Sequence, residues 1–250
     1  METIAVVNRR GGVGKTATAH AVGAGLARRG YKTLFVDLDS QCNLTFDVGG
    51  RTAPLTSMEV LSGTATAREA IQHTPGGDII PASPSLAVAD TTLDGTGREY
   101  KLREALEPLA GEYDYIIIDT PPALGVLTVN ALTASNSAII PAQAEVHSIQ
   151  GIGLLYEAIH AVQKYTNPDL KVLGILVTRY NGRAILSRDM RDNLEATARE
   201  LGTKVFDTPI RECTAIKEAQ ATQSDIFTYA PKSNATADYT ALINDIVKER

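Results

Sequence analysis

The stretch "AVVNRRGGVGKTATA", residues 5–19, decides how the rest of the chain is read. An apolar run gives way to a glycine-rich turn, and a small-residue helical pattern begins near Lys15. Gly11, Gly12 and Gly14 leave no side chain where a backbone must wrap a phosphate chain and aim several N–H groups at it. The helix start adds its partial positive charge. Lys15 then reaches the β and γ phosphates of a nucleotide, and the Thr16 hydroxyl is placed to coordinate Mg²⁺. The candidate phosphate-binding segment is Gly11, Gly12, Val13, Gly14, Lys15, Thr16 and Ala17, with Arg10 directly before it. It departs from the general G-x-x-x-x-G-K-[ST] pattern, because Arg9 occupies the first glycine position.

The strand implied before this loop is one of several. "TLFVDLD" (33–39), "YIIIDT" (115–120), "SAIIPAQ" (137–143) and "VLGILVTRY" (172–180) are also short runs of continuous rather than alternating apolar character. Strands buried on both faces look like this, which is the mark of a parallel sheet. Helical patterns fall between them at 15–29, 98–109, 151–165 and 187–201, the first stopped by Gly30 and the last by Gly202. The alternation predicts an α/β fold, a doubly wound, mostly parallel sheet with helices on both faces, in one domain spanning 1–250. Residues 49–97 are rich in Thr, Ser, Gly and Pro and read as a surface excursion rather than a second domain. In the tail, Tyr239, Leu242, Ile243, Ile246 and Val247 share one helical face, which predicts core packing rather than a membrane anchor.

Composition sets outer limits. With 44% hydrophobic and 21% charged residues among 250, a full-sized core is available, and without tryptophan it must be filled by Val, Ile, Leu and Ala. The net charge of -5 does not advertise a polyanionic partner, although it says nothing of a local basic patch. Cys42 and Cys213 follow no zinc-ligand or C-x-x-C spacing. His20, His73, His147 and His160 share no spacing either, and none is assigned to metal or proton transfer. No signal peptide pattern is seen, and no apolar run approaches the ~20 residues of a membrane span. A reduced, cytoplasmic protein is expected.

Two carboxylate segments support the nucleotide reading. Asp37 and Asp39 close one apolar strand, and Asp119 closes another. Ligands of parallel sheets collect beyond the carboxyl ends of the strands, so all three should face the phosphate loop. Asp119 has the form of a Walker B carboxylate, holding Mg²⁺ directly or through its water. Asp37 is open to two readings, a brace for the metal shell or a plain turn-former.

The segments "RRGGVGKTATA", "LFVDLDSQCNLT" and "YDYIIIDTPPALGVLTVNAL", in this order and spacing, resemble the ParA/Soj family of deviant Walker A ATPases. "SAIIPAQAEVHSIQGIGLL", "GILVTRYNGR", "PIRECTAIKEAQ" and "IFTYAPKSNATADY" extend the likeness over about residues 3–247. The resemblance implies a partition ATPase whose ATP-bound form is a face-to-face homodimer with two nucleotides sandwiched in it. That dimer binds DNA without sequence preference, associates with the nucleoid, and is released when a ParB-type centromere-binding partner stimulates hydrolysis. Carried onto this chain, Lys15 and Thr16 keep their phosphate and Mg²⁺ roles, Asp39 positions or deprotonates the attacking water and contributes to the metal shell, and Asp119 holds Mg²⁺. Arg10 stands where the family has a signature lysine that crosses to the partner's nucleotide. A guanidinium can also neutralise phosphate in trans, though the exchange is not a conservative one.

Residues 179–191 carry four arginines in thirteen positions. The resemblance aligns Arg183 with a DNA-reaching basic position. Arg188 and Arg191, three apart on one helix face, extend the patch, with Lys217 and Lys232 as weaker additions. "DTPIREC" (207–213) occupies the adenine-wrapping segment, which makes Pro209 and Arg211 candidate base contacts. Asn181 either faces the base or caps a turn. Three other functions compete. A membrane-positioning ATPase resembling MinD calls for an amphipathic membrane helix that "IVKER" does not supply. A metabolic ligase or iron-protein function lacks support in "DLDSQ" and in the cysteine pattern. A dimer switch with very slow hydrolysis would follow from Arg10.

Overall fold

The computed structural model describes residues 1–248, the side chains of residues 146, 147, 149 and 150 excepted. His147, and the Glu249 and Arg250 of the "KER" ending, therefore lie outside what is described. The apolar runs form the strands β1 (Glu2–Val6), β2 (Thr33–Asp37), β5 (Tyr115–Asp119), β6 (Ser137–Gln143) and β7 (Lys171–Thr178). Two further strands, β3 (Gln72–Thr74) and β4 (Gly77–Ile80), complete one seven-stranded sheet in the order β3-β4-β2-β5-β1-β6-β7. All neighbours run parallel except β3 and β4, which form an antiparallel hairpin at the edge.

The helices are α1 (Lys15–Ala27), α2 (Asn43–Asp47), α3 (Ser57–Ser62), α4 (Ala67–Ala70), α5 (Ala89–Thr92) and α6 (Lys101–Leu106). They continue as α7 (Val126–Ala134), α8 (Val146–Tyr165), α9 (Ile185–Glu200), α10 (Thr214–Ala221), α11 (Ile226–Tyr229) and α12 (Asn234–Lys248). The stretch expected as one helix over 98–109 is α6 flanked by two 3-10 turns, Pro108 lying in the second. A strand's side chains alternate faces, and the core divides accordingly. Ile4, Val6, Phe35 and Ile117 pack with Leu26 of α1 and with Tyr239, Leu242, Ile243 and Ile246 of α12. Ala5, Val7, Val36 and Ile118 pack on the opposite face with Leu102, Leu132 and Ile159. The apolar stripe of the tail is thus core, as its spacing predicts. Among the described residues, no helix is long and apolar enough to cross a membrane.

The expectation of a surface excursion over 49–97 is corrected. This segment supplies β3 and β4, and Val60, Leu61, Ile79 and Ile80 are buried in the core. Its strands are only three and four residues long and carry His73 and Asp78, so no apolar run announces them. It does not form a second sheet.

Helix α1 lies flat on the sheet because its contact face is made of small residues. An added Cβ at Gly23 would sit well inside van der Waals contact with the Phe35 ring, a stiff core group. At Gly25 the first obstacle is the Cδ1 tip of Ile243, which can turn away, and the next is the Phe227 ring edge about 3 Å off. Alanine in a helix interior gains up to about 1 kcal/mol over glycine, whereas overpacking a core costs about 1–3 kcal/mol. Gly23→Ala is therefore expected to lower the stability measured in urea by about 1–2 kcal/mol. Gly25→Ala should fall within about 1 kcal/mol of the native chain. Equal effects of the two substitutions would show that the Phe35 contact does not set the spacing.

Candidate nucleotide site

The phosphate loop runs from the end of β1 to the start of α1. It sits where the sheet order turns, since β1 is flanked by β5 on one side and β6 on the other. Ligand crevices of open α/β sheets form at such points. Gly12 (φ 76°) and Gly14 (φ 89°) adopt left-handed conformations that a side chain would strain. Three side chains tie the loop down: Thr178 Oγ1 donates to Val13 O at 2.7 Å, Gln143 Nε2 to Gly12 O at 3.0 Å, and Lys15 Nζ to Arg10 O at 3.1 Å.

Beneath the loop lies an acidic cluster. Thr16 Oγ1 donates to Asp119 Oδ2 at 2.6 Å. Asp119 is fully buried, and its Oδ1 has no hydrogen-bond partner. Burial, reinforced by the nearby Asp37 carboxylate, holds Asp119 well above its ordinary pKa, against the Thr16 bond and the Lys15 charge. Asp37 is also fully buried, and burial raises it to about 6. Its oxygens are taken up by Asp39 N (3.0 Å), Thr45 N (2.8 Å) and Thr45 Oγ1 (2.8 Å). Of its two readings Asp37 is thus the turn-former, holding the loop that carries Asp39, while Thr16 bonds to Asp119 instead. Asp39 in turn accepts from Gln41 N at 3.0 Å. Lys15 is 6% exposed; burial lowers its pKa, while Asp119 and Asp39 raise it.

A cavity of about 590 Å³ opens over the loop. Gly11, Gly12, Gly14, Lys15, Thr16, Ala17 and Asp39 line it, together with Thr178, Arg179, Ile210, Arg211, Glu212 and Cys213. Asp119 is not on the wall but lies behind Thr16. Its orphaned oxygen, the adjacent hydroxyl and Asp39 make a hard-oxygen set of the kind Mg²⁺ takes, with the remaining positions left to water and phosphate. Consistently, no group of three or more His, Cys, Asp or Glu side chains forms a metal cage among the described residues.

The predicted base contacts divide. Arg211 lines the cavity, but its guanidinium and backbone N–H are committed to Asp238, with contacts of 2.6 to 3.2 Å. Asp238 is 4% exposed. Arg211 therefore anchors the 210–213 loop to α12. Pro209 and Asn181 are not on the cavity wall, and Asn181 Oδ1 caps a turn by accepting from Arg183 N at 3.1 Å. Residues not singled out from sequence, Thr178, Arg179 and Gln41, line the cavity instead. Among the basic residues, Arg183 and Arg188 are exposed at the start of α9. Arg191 is half-buried, donating to Glu195 Oε1 (3.1 Å) and Asp207 O (3.0 Å). Lys217 lies at the cavity rim rather than on the arginine surface, and Lys232 is exposed beyond α11.

An AAA domain family matches residues 1–172. Over 248 residues the chain is 38% identical to the sporulation initiation inhibitor protein Soj of Bacillus subtilis, covering 97% of each. It is 36% identical over 250 residues to the chromosome partitioning protein ParA of Myxococcus xanthus, covering 98% of this chain and 87% of that one. Among solved structures, the cobyrinic acid a,c-diamide synthase from Mycobacterium smegmatis with bound ADP and magnesium superposes with a TM-score of 0.87 at 36% identity. That match covers 100% of this chain and 95% of the other. The chain belongs to the Soj/ParA family of partitioning ATPases.

Proposed function

We propose that this protein is an Mg²⁺-dependent ATPase that partitions DNA by switching between an ATP-bound, DNA-binding homodimer and a released form. The observation that carries the proposal is the phosphate loop with Lys15 and Thr16 backed by the buried Asp119, in a chain closely similar to Soj and ParA over nearly its full length. The ligands of the Mycobacterium smegmatis structure, ADP and magnesium, fit the same donor set. Loop N–H groups and Lys15 hold the phosphates, and the oxygens of Thr16, Asp39 and Asp119 hold the Mg²⁺ shell. Mg²⁺ when bound neutralises charge on the phosphate oxygens. Asp39, fixed by Gln41 and by Asp37, orients the attacking water. Arg10 serves the nucleotide of the second protomer, in the manner of an arginine finger.

Arg183 and Arg188 supply sequence-independent phosphate contacts to DNA, and a ParB-type partner stimulates hydrolysis. A function as a small-molecule synthase, suggested by the name of the Mycobacterium smegmatis protein, is separated from this one by the same experiment. Binding to a random-sequence duplex is followed by fluorescence anisotropy with ATP, ADP or no nucleotide, across a salt series. Binding confined to the ATP state and falling steeply with salt is expected. Absence of DNA binding in every state, with ATP still bound, would overturn the partition function.

A further inference from the structure

Arg10 is already engaged within its own chain. Its Nη2 lies 2.6 Å from Glu145 Oε2, and its Nη1 lies 3.5 Å from Ser148 Oγ. Both partners lie at the junction of β6 and α8, 135 and 138 residues further along the chain. The junction is joined to the phosphate loop by the Gln143–Gly12 bond, and Arg10 N donates to Asn8 Oδ1 at 2.9 Å. The backbone of Arg10 is thus fixed at both N–H and carbonyl, and only its side chain is left to choose a partner.

A guanidinium paired with a carboxylate has its charge compensated and its fork occupied, so it cannot present the same fork to a phosphate. We propose that Glu145 is a positioning residue that latches Arg10 inside its own protomer. Pairing of two protomers then exchanges the Arg10–Glu145 contact for a contact between Arg10 and the other protomer's nucleotide. The inference rests on the role for Arg10 stated under Proposed function. The exchange favours the more highly charged anion, so a triphosphate opens the latch and a lone carboxylate keeps it shut. An arginine suits this device better than a lysine, because its planar fork reaches Glu145 and Ser148 together. The two side chains are 38% and 47% exposed, so the latch is shallow and sensitive to salt.

The test is the dimer dissociation constant, from sedimentation equilibrium with Mg²⁺ and a non-hydrolysable ATP analogue. It is measured on the native chain, Glu145→Gln, Arg10→Ala and the double variant. Exposed ion pairs shift an equilibrium a few-fold each, and two are broken per dimer, so Glu145→Gln should tighten the dimer by about 3- to 30-fold. The gain should vanish in the Arg10→Ala background and shrink as salt is raised. A destabilised or merely rearranged β6–α8 junction would not produce a gain that depends on Arg10. If Arg10→Ala weakens the dimer while Glu145→Gln leaves it unchanged or weaker, the latch is overturned and the role of Arg10 stands. A gain that persists without Arg10 also overturns the latch. If Arg10→Ala pairs and turns over like the native chain, the cross-protomer role of Arg10 fails, and the latch fails with it.

Discussion

Lys15→Ala is expected to lower kcat/KM for ATP by about a thousandfold, at the upper end of what removing one preorganised charge donor costs. The size follows from where Lys15 sits. It is 6% exposed and directly before Thr16, and burial lowers its pKa, an effect that the Asp119 and Asp39 charges only partly offset. Removing it leaves an incoming polyphosphate facing carboxylates without the countercharge, so both affinity and turnover suffer. The fold should survive, because Lys15 bonds only to the Arg10 carbonyl among the loop groups. Phosphate release reads the rate, calorimetric titration reads ATP affinity, and thermal unfolding without nucleotide checks the fold. Lys15→Arg keeps the charge but brings a larger, planar head into a site built for an ammonium, so it should restore affinity only in part. Turnover within tenfold of native in Lys15→Ala would remove the phosphate loop from the mechanism.

The parts of this molecule that sequence reveals are those whose signal is local. β6 was readable to the residue, because Ser137–Gln143 is buried along almost its whole length and so reads as an unbroken apolar run. The phosphate loop was readable because its glycines, Lys15 and Thr16 are contiguous and each has one physical reason to be there. The hairpin of β3 and β4 was not, since "QHT" and "GDII" owe their strand state to pairing with each other and with β2. The same holds for side-chain partners. Arg211 looks like a base contact until its carboxylate partner is found 27 residues on, in α12. Glu145 carries no sequence signal that ties it to Arg10. Asp37 reads from sequence as either a metal-shell brace or a turn-former, and only its bonds to Asp39 N and to Thr45, eight residues later, make it the turn-former. Long-range pairing of charges leaves no periodic trace, and this is why the contiguous phosphate loop is legible in the sequence and the pairing of Arg211 with Asp238 is not.

A second large effect is expected at Asp47, on stability rather than turnover. Asp47 ends α2 and is 3% exposed; Gln220 Nε2 of α10 donates to its Oδ2 at 2.7 Å. Next to it, Gln223 Nε2 donates to Phe46 O at 2.9 Å, so two amides tie α10 and its end to α2. Burial raises the Asp47 pKa from 3.8 to about 6, only partly offset by the Gln220 bond. The native state therefore binds a proton more tightly than the unfolded chain does. Stability from this group is complete below about pH 3.8 and is lost as pH rises through about 6. A shift of that size corresponds to about 3 kcal/mol at neutral pH. His20 opposes it: burial depresses its pKa from 6.5 to about 4, so its contribution grows over much the same range of rising pH. The wild-type profile alone consequently hides the Asp47 effect, and the difference from Asp47→Asn isolates it. The asparagine keeps an oxygen for Gln220 and has no charge to bury. Urea unfolding without nucleotide should find Asp47→Asn more stable than the native chain by about 2–3 kcal/mol at pH 7.5, with the gain disappearing towards pH 4. A gain independent of pH would assign the effect to packing between α2 and α10, and a loss at pH 7.5 would show that the ionised carboxylate is itself the preferred partner of Gln220.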